Sequence, residues 1–86
     1  MIISGNIIEK IENKIDLYKL VKNKGGSVYS LKNNVLVYTK EINEKYKVKI
    51  FENGTIVLIF KNLTKEEYQN ILEFFEKIKE EYLAID

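Results

Sequence analysis

The groups available for chemistry in this chain are lysine, carboxylate, tyrosine, serine and threonine, because it contains neither histidine nor cysteine. That composition removes disulfides, thiol nucleophiles, the common zinc ligands and the imidazole proton shuttle that works near neutral pH. Glu41, Glu44 and Glu52 fall near turns at no spacing that predicts a metal site or an acid/base dyad. Gly25-Gly26 lacks the lysine and helix start of a phosphate-binding loop. A non-enzymatic protein with no cofactor is expected. Chemical patterning is concentrated instead in residues 45 to 61, KYKVKIFENGTIVLIFK, where lysine alternates with apolar and aromatic residues. Lys47, Lys49 and Lys61 bring charge to this stretch, and Phe51, Val57 and Ile59 bring aromatic and apolar surface.

Strands must position those side chains, since alternate residues of a strand point to opposite faces. Tyr46, Val48, Ile50, Ile56, Leu58 and Phe60 share one face. Lys47, Lys49, Phe51, Thr55, Val57, Ile59 and Lys61 share the other, which is neither an ordinary core nor an ordinary solvated surface. Between the two runs, Asn53-Gly54 predicts a two-residue type I′ connection. Two further strands are predicted at 26 to 31 and 35 to 41, joined around Lys32-Asn33-Asn34, so that four strands form an antiparallel meander. In the second of these, Val35, Val37 and Thr39 alternate with Leu36 and Tyr38. If helices cover one face, the other exposes Val35, Val37, Phe51, Val57 and Ile59, and an apolar patch of that kind marks an interaction site.

Downstream, Thr64-Lys65-Glu66-Glu67 has the form of a capping box, followed by Tyr68, Ile71, Leu72, Phe75, Ile78 and Tyr82 at helical spacing. That stripe is core. Upstream, two readings stand. Asn6 followed by Glu9 can cap a helix over 7 to 24, ended by Gly25-Gly26, and local signals favour it. The other reading has a strand near 2 to 8, a short loop, and a helix from about 13 to 24, and it requires tertiary context to override local preference. The fold class is α+β: an antiparallel sheet with two helices on one face, in the order β-α-β-β-β-β-α, or α-β-β-β-β-α without the first strand.

A chain of 86 residues makes one domain, with roughly 60 to 65% of its unfolded surface buried. No apolar run approaches the ~20 residues that span a bilayer, and the first residues lack a basic stretch followed by an apolar core, so a cytoplasmic protein with no membrane partner is expected. Net charge is +1, but residues 25 to 61 hold six lysines and three glutamates, and residues 62 to 86 hold three lysines and seven acids. Basic strands and an acidic final helix favour an anionic partner for the sheet.

The order strand, helix, four-strand meander, long helix resembles one repeat of the TATA-binding protein family. Asn6-Ile7-Ile8 resembles that family's opening Asn-Ile-Val strand, Ile15-Asp16-Leu17 its Leu-Asp-Leu helix start, and Val35-Leu36-Val37-Tyr38 its Gly-Leu-Val-Tyr-Arg strand. Residues 51 to 57, FENGTIV, resemble its Phe-Ser-Ser-Gly-Lys-Ile-Val, and Lys65-Glu66-Glu67 stands at its acidic helix opening. The resemblance covers nearly the whole chain. It implies a curved sheet whose concave face meets the minor groove of double-stranded DNA, with phenylalanines wedged between base steps. Phe51 then matches a wedge residue, Asn6 the opening asparagine, and Val57 a groove-contacting apolar position.

Departures from the family bear on base reading more than on fold. Thr39 stands where the family has a backbone-binding arginine, Thr55 replaces a lysine, Ile59 replaces a threonine, and Asn33-Asn34 occupies the region of a second wedge. Lys47 and Lys49 add charge. The expected function is a small DNA-binding or transcription-associated module that uses the exposed sheet face, as a homodimer that supplies the second repeat. Its expected contacts are Asn6, Val37, Thr39, Lys47, Lys49, Phe51, Thr55, Val57, Ile59 and Lys61. The alternative is a protein-interaction or assembly module whose apolar sheet face is covered by a partner.

Overall fold

A computed structural model describes residues 2 to 84. Its elements run β1 (Ile3–Lys10), α1 (Leu17–Lys24), β2 (Ser27–Ser30), β3 (Leu36–Ile42), β4 (Tyr46–Phe51), β5 (Thr55–Leu63) and α2 (Lys65–Glu81). The strands make one five-stranded sheet in the order β1-β5-β4-β3-β2, with every neighbouring pair antiparallel. The chain is therefore α+β with the first strand present.

The helix reading of residues 7 to 24 is overturned. Residues 3 to 10 pair along β5, with Ile7 opposite Leu58, Ile8 opposite Val57 and Lys10 opposite Thr55. Local signals at Asn6 and Glu9 lose because β5 is a nine-residue strand whose backbone donors and acceptors need a partner on that side. The helix begins only at Leu17, where the Asp16 carboxylate accepts from the Lys19 amide at 3.1 Å, and it ends at Gly25.

One face of the sheet carries the core. Tyr38, Val48, Ile50, Ile56, Leu58 and Phe60 are buried against Leu17 and Leu20 of α1 and Ile71, Phe75 and Ile78 of α2. Each such aliphatic or aromatic side chain contributes about 1.5 to 3 kcal/mol when fully buried. The Tyr38 hydroxyl donates to the Gly25 carbonyl at 2.7 Å, and the Lys40 ammonium donates to the Lys24 carbonyl, so β3 holds the end of α1. Burial, reinforced by Tyr46 and Tyr82, pushes the Tyr38 phenol up to about 12.

The capping box of α2 forms as predicted, with Thr64 and Glu67 bonding reciprocally. Glu67 also meets the Lys45 ammonium at 3.0 Å. The Thr64 backbone amide first, and then Lys45, hold the Glu67 carboxyl below its ordinary range. Farther along, Lys79 lies 3.1 Å from Glu76 and 3.4 Å from Glu9, joining α2 to β1.

The β4–β5 connection differs from the type I′ expectation. Three residues, Glu52, Asn53 and Gly54, separate the strands, the Gly54 amide donates to the Phe51 carbonyl at 3.0 Å, and only Gly54 has a positive φ, +104°. A turn followed by a left-handed glycine is the three-residue hairpin, and it is what lets Ile50 stand opposite Ile56. A two-residue loop would shift the register by one and turn the β5 core residues outward. Two consecutive positive φ values occur instead at Asn43 and Glu44, 53° and 57°, in the β3–β4 turn. The β4–β5 turn is also clasped from outside: the Ile11 amide donates to the Gly54 carbonyl at 3.0 Å and the Ile15 amide to the Glu52 carbonyl at 3.2 Å. Among the described residues no helix is long and apolar enough to cross a membrane.

Candidate nucleic-acid interface

Both helices lie on the core face, so the opposite face of the sheet is open. Strand register orders its side chains into three cross-strand rows. The first runs Asn6, Ile59, Lys47, Glu41; the second Ile8, Val57, Lys49, Thr39, Ser27. The third places Lys10 opposite Thr55 at one end, and Phe51, Val37 and Tyr29 side by side at the other. Lys61 follows Ile59 on the same face of β5.

Polar and apolar groups are separated within these rows. Lys10 and Lys61 stand exposed at the margin, Lys47 and Lys49 are half-buried in the middle of β4, and none of the four takes part in an ion pair among the described residues. Glu41, directly across from Lys47, is the one acid in the rows. Ile8 is 69% exposed and Ile59 48%, with Val57 half-buried beside them. Leaving two large aliphatic residues of adjacent strands this open is unusual for a face with no further role. At the first-row end, Lys47, Ile59 and Lys61 line a shallow depression of about 270 Å³ whose rim also carries Glu41 and Glu44.

Nine of the ten expected contact residues fall on this face with accessible side chains: Asn6, Thr39, Lys47, Lys49, Phe51, Thr55, Val57, Ile59 and Lys61. Val37 is the correction. It sits on the open face but is fully buried, outside the helix-backed core cluster, with Phe51 directly across on one side and Tyr29 on the other. Its neighbours on the face close over it, so it supports the surface without presenting itself to a partner. Val35 is half-buried, as Phe51 and Val57 are.

Ile8, Lys10 and Tyr29 belong to the face and were not among the expected contacts. Ile8 and Lys10 were obscured by the helix reading of their segment, although Asn6, Ile8 and Lys10 alternate with Ile7 and Glu9 in the period of a strand. Tyr29 could have been placed by its alternation with Val28, which packs on the core side.

No protein-family model, curated protein or solved structure matches this chain.

Proposed function

We propose that the protein is a small non-enzymatic DNA-binding module that uses the open sheet face, and that it is built like one repeat of the TATA-binding protein. Carrying this reading is one observation: four lysines without ion-pair partners among the described residues border an apolar patch, Ile8, Val57 and Ile59, that no element covers. Lysines in that arrangement hold phosphates, while Val57, Ile8 and Ile59 meet sugars and base edges. The element order and the first strand are those the resemblance implies. Thr39, Thr55 and Ile59, where the family carries arginine, lysine and threonine, leave a face that grips the backbone and reads base identity poorly.

Salt dependence tests the reading. If all four lysines touch phosphates, affinity for a duplex falls about 150-fold per protomer between 50 and 200 mM salt. Lys47→Glu with Lys49→Glu removes half of those contacts and adds repulsion, so binding is lost at 200 mM. Affinity for DNA that changes with neither salt nor these substitutions rejects the mechanism.

The dimer is part of the same proposal. β1 closes the sheet on one side only, and its free edge with the exposed Ile8 offers a second copy a place to continue the sheet. The exposure of Ile8 and Ile59 also favours a second reading, an assembly module whose apolar face takes a protein partner. Association with a different protein that survives high salt and is broken by Ile59→Asp distinguishes apolar burial from phosphate contact.

A further inference from the structure

Resting on the DNA-binding reading, we infer that the open face takes single-stranded DNA in preference to duplex, with Phe51 and Tyr29 as a two-ring shelf for unpaired bases. The two rings stand in one cross-strand row on either side of Val37. Their Cα atoms are therefore two strand spacings apart, roughly 10 Å. Tyr29 is 39% exposed and Phe51 half-buried, so each presents ring surface on a face where no helix lies.

Both rings are mounted on fixed backbone. Phe51 pairs with Val37, its carbonyl accepts from Gly54, and the next amide, Glu52, donates to the Leu36 carbonyl at 3.0 Å. The Ile11 and Ile15 amides then lock the Gly54 and Glu52 carbonyls of the same turn. Tyr29 pairs with Val37 from the other side, over the full length of β2. Val37, between them in the same row, is fully buried, so the two side chains flank and cover it. Bases stacked on rigid aromatic rings lose little further freedom on binding, which is the design of single-strand platforms on sheets.

Charge and strand geometry agree with that ligand. Lys49 is two residues from Phe51 along β4 and projects from the same face, close enough to meet the phosphate that follows a base stacked on the ring. In a duplex the faces of the bases are already covered by their neighbours, so using this shelf would require unstacking. One protomer with four lysines on the face has few contacts to offset that cost. Where the strand crosses β5 and β1 it meets Ile8, Val57 and Ile59, which give a 2′-hydroxyl no hydrogen-bond partner, so deoxyribose is favoured over ribose there.

The test uses fluorescence anisotropy with the full chain and a labelled 12-nucleotide oligo-dT, the matching 12-base-pair duplex and oligo-U, at 50 mM salt. Oligo-dT is expected to bind at least tenfold more tightly than duplex or oligo-U. Tyr29→Ala is expected to weaken oligo-dT binding by about 5- to 100-fold and to leave duplex affinity within twofold. Phe51→Leu, which keeps an apolar side chain beside Val37, should act in the same direction, and Phe51→Trp should restore or strengthen binding. Thermal melting of each variant separates lost stacking from lost folding, and Tyr29→Ala, at the exposed sheet edge, keeps the test decisive if Phe51→Leu unfolds. Equal or tighter binding of duplex or oligo-U, or oligo-dT affinity unmoved by both aromatic changes, overturns this inference. If Lys47→Glu with Lys49→Glu still abolishes binding in that case, the DNA-binding reading stands alone; if no nucleic acid binds at all, both fail.

Discussion

Replacing Gly54 by alanine tests whether the β4–β5 turn is held as tightly as its contacts imply. A Cβ on Gly54 would lie 2.3 Å from the Ile11 carbonyl oxygen and 2.7 Å from that of Asn13. Both are backbone atoms of the loop that clasps the turn, and neither can rotate away. Two effects add. An L-residue at φ +104° carries backbone strain of about 1 to 3 kcal/mol. Forcing one methyl into close-packed surroundings costs about 1 to 3 kcal/mol more. The sum is centred near 4 kcal/mol, against a total stability of roughly 4 to 13 kcal/mol for a domain of this length. Gly25→Ala is the control, because its φ is +77° but nothing lies within 4 Å of its Cβ, so it carries the strain without the clash. Urea unfolding followed by far-ultraviolet circular dichroism should show Gly54→Ala about 2 kcal/mol or more below Gly25→Ala, or largely unfolded in water. Equal stability of the two variants refutes the clasp, and with it the account of how Phe51 is held.

Thr64→Ala removes the acceptor of the capping box and should cost about 1 kcal/mol, read as a shift in the urea midpoint at constant slope. Glu67 has its carboxyl held down in the folded state, so the stability it contributes is present above the ordinary carboxylate range and is lost as pH falls through its folded value. Glu67→Gln should flatten that acid limb in melts recorded from pH 6 to 2. Tyr38 behaves with the opposite sign: its folded pKa, about 12, lies above the unfolded 10.0, so its contribution is complete below pH 10 and is lost between pH 10 and 12. Tyr38→Phe should lose the Gly25 hydrogen bond, about 1 kcal/mol at pH 7, and soften the alkaline transition. Sedimentation at increasing concentration should give a dimer whose association is weakened by Ile8→Asp; a strictly monomeric mass from micromolar to millimolar concentration rejects the dimer.

Much of the fold was legible because two periodicities were unambiguous. Alternation in residues 46 to 60 assigned the core face of β4 and β5 correctly, and the spacing of Ile71, Phe75 and Ile78 with the Thr64 cap defined α2. Residues 3 to 10 misled because a strand at a sheet edge takes its stability from its neighbour, and that neighbour lies far away in sequence, Ile3 pairing with Leu63 and Lys10 with Thr55. At Asn53-Gly54 the dipeptide preference pointed to a two-residue loop, whereas keeping Ile50 and Ile56 on one face demanded three; burial of those side chains outweighed the turn preference. The candidate face was legible for the same reason as the core, by alternation on β4 and β5. Val37 was misplaced because alternation gives the face of a residue and not its cover, which here comes from side chains of the face itself.

The most direct measurement of the central claim is an amide chemical-shift titration of the isotopically labelled protein with a short single-stranded DNA. Perturbations should be confined to the open-face rows, strongest around Ile8, Tyr29, Lys47, Lys49, Phe51, Val57 and Ile59, with α1 and the outer side of α2 silent. Perturbations centred on the helices, or none at millimolar DNA, would contradict it.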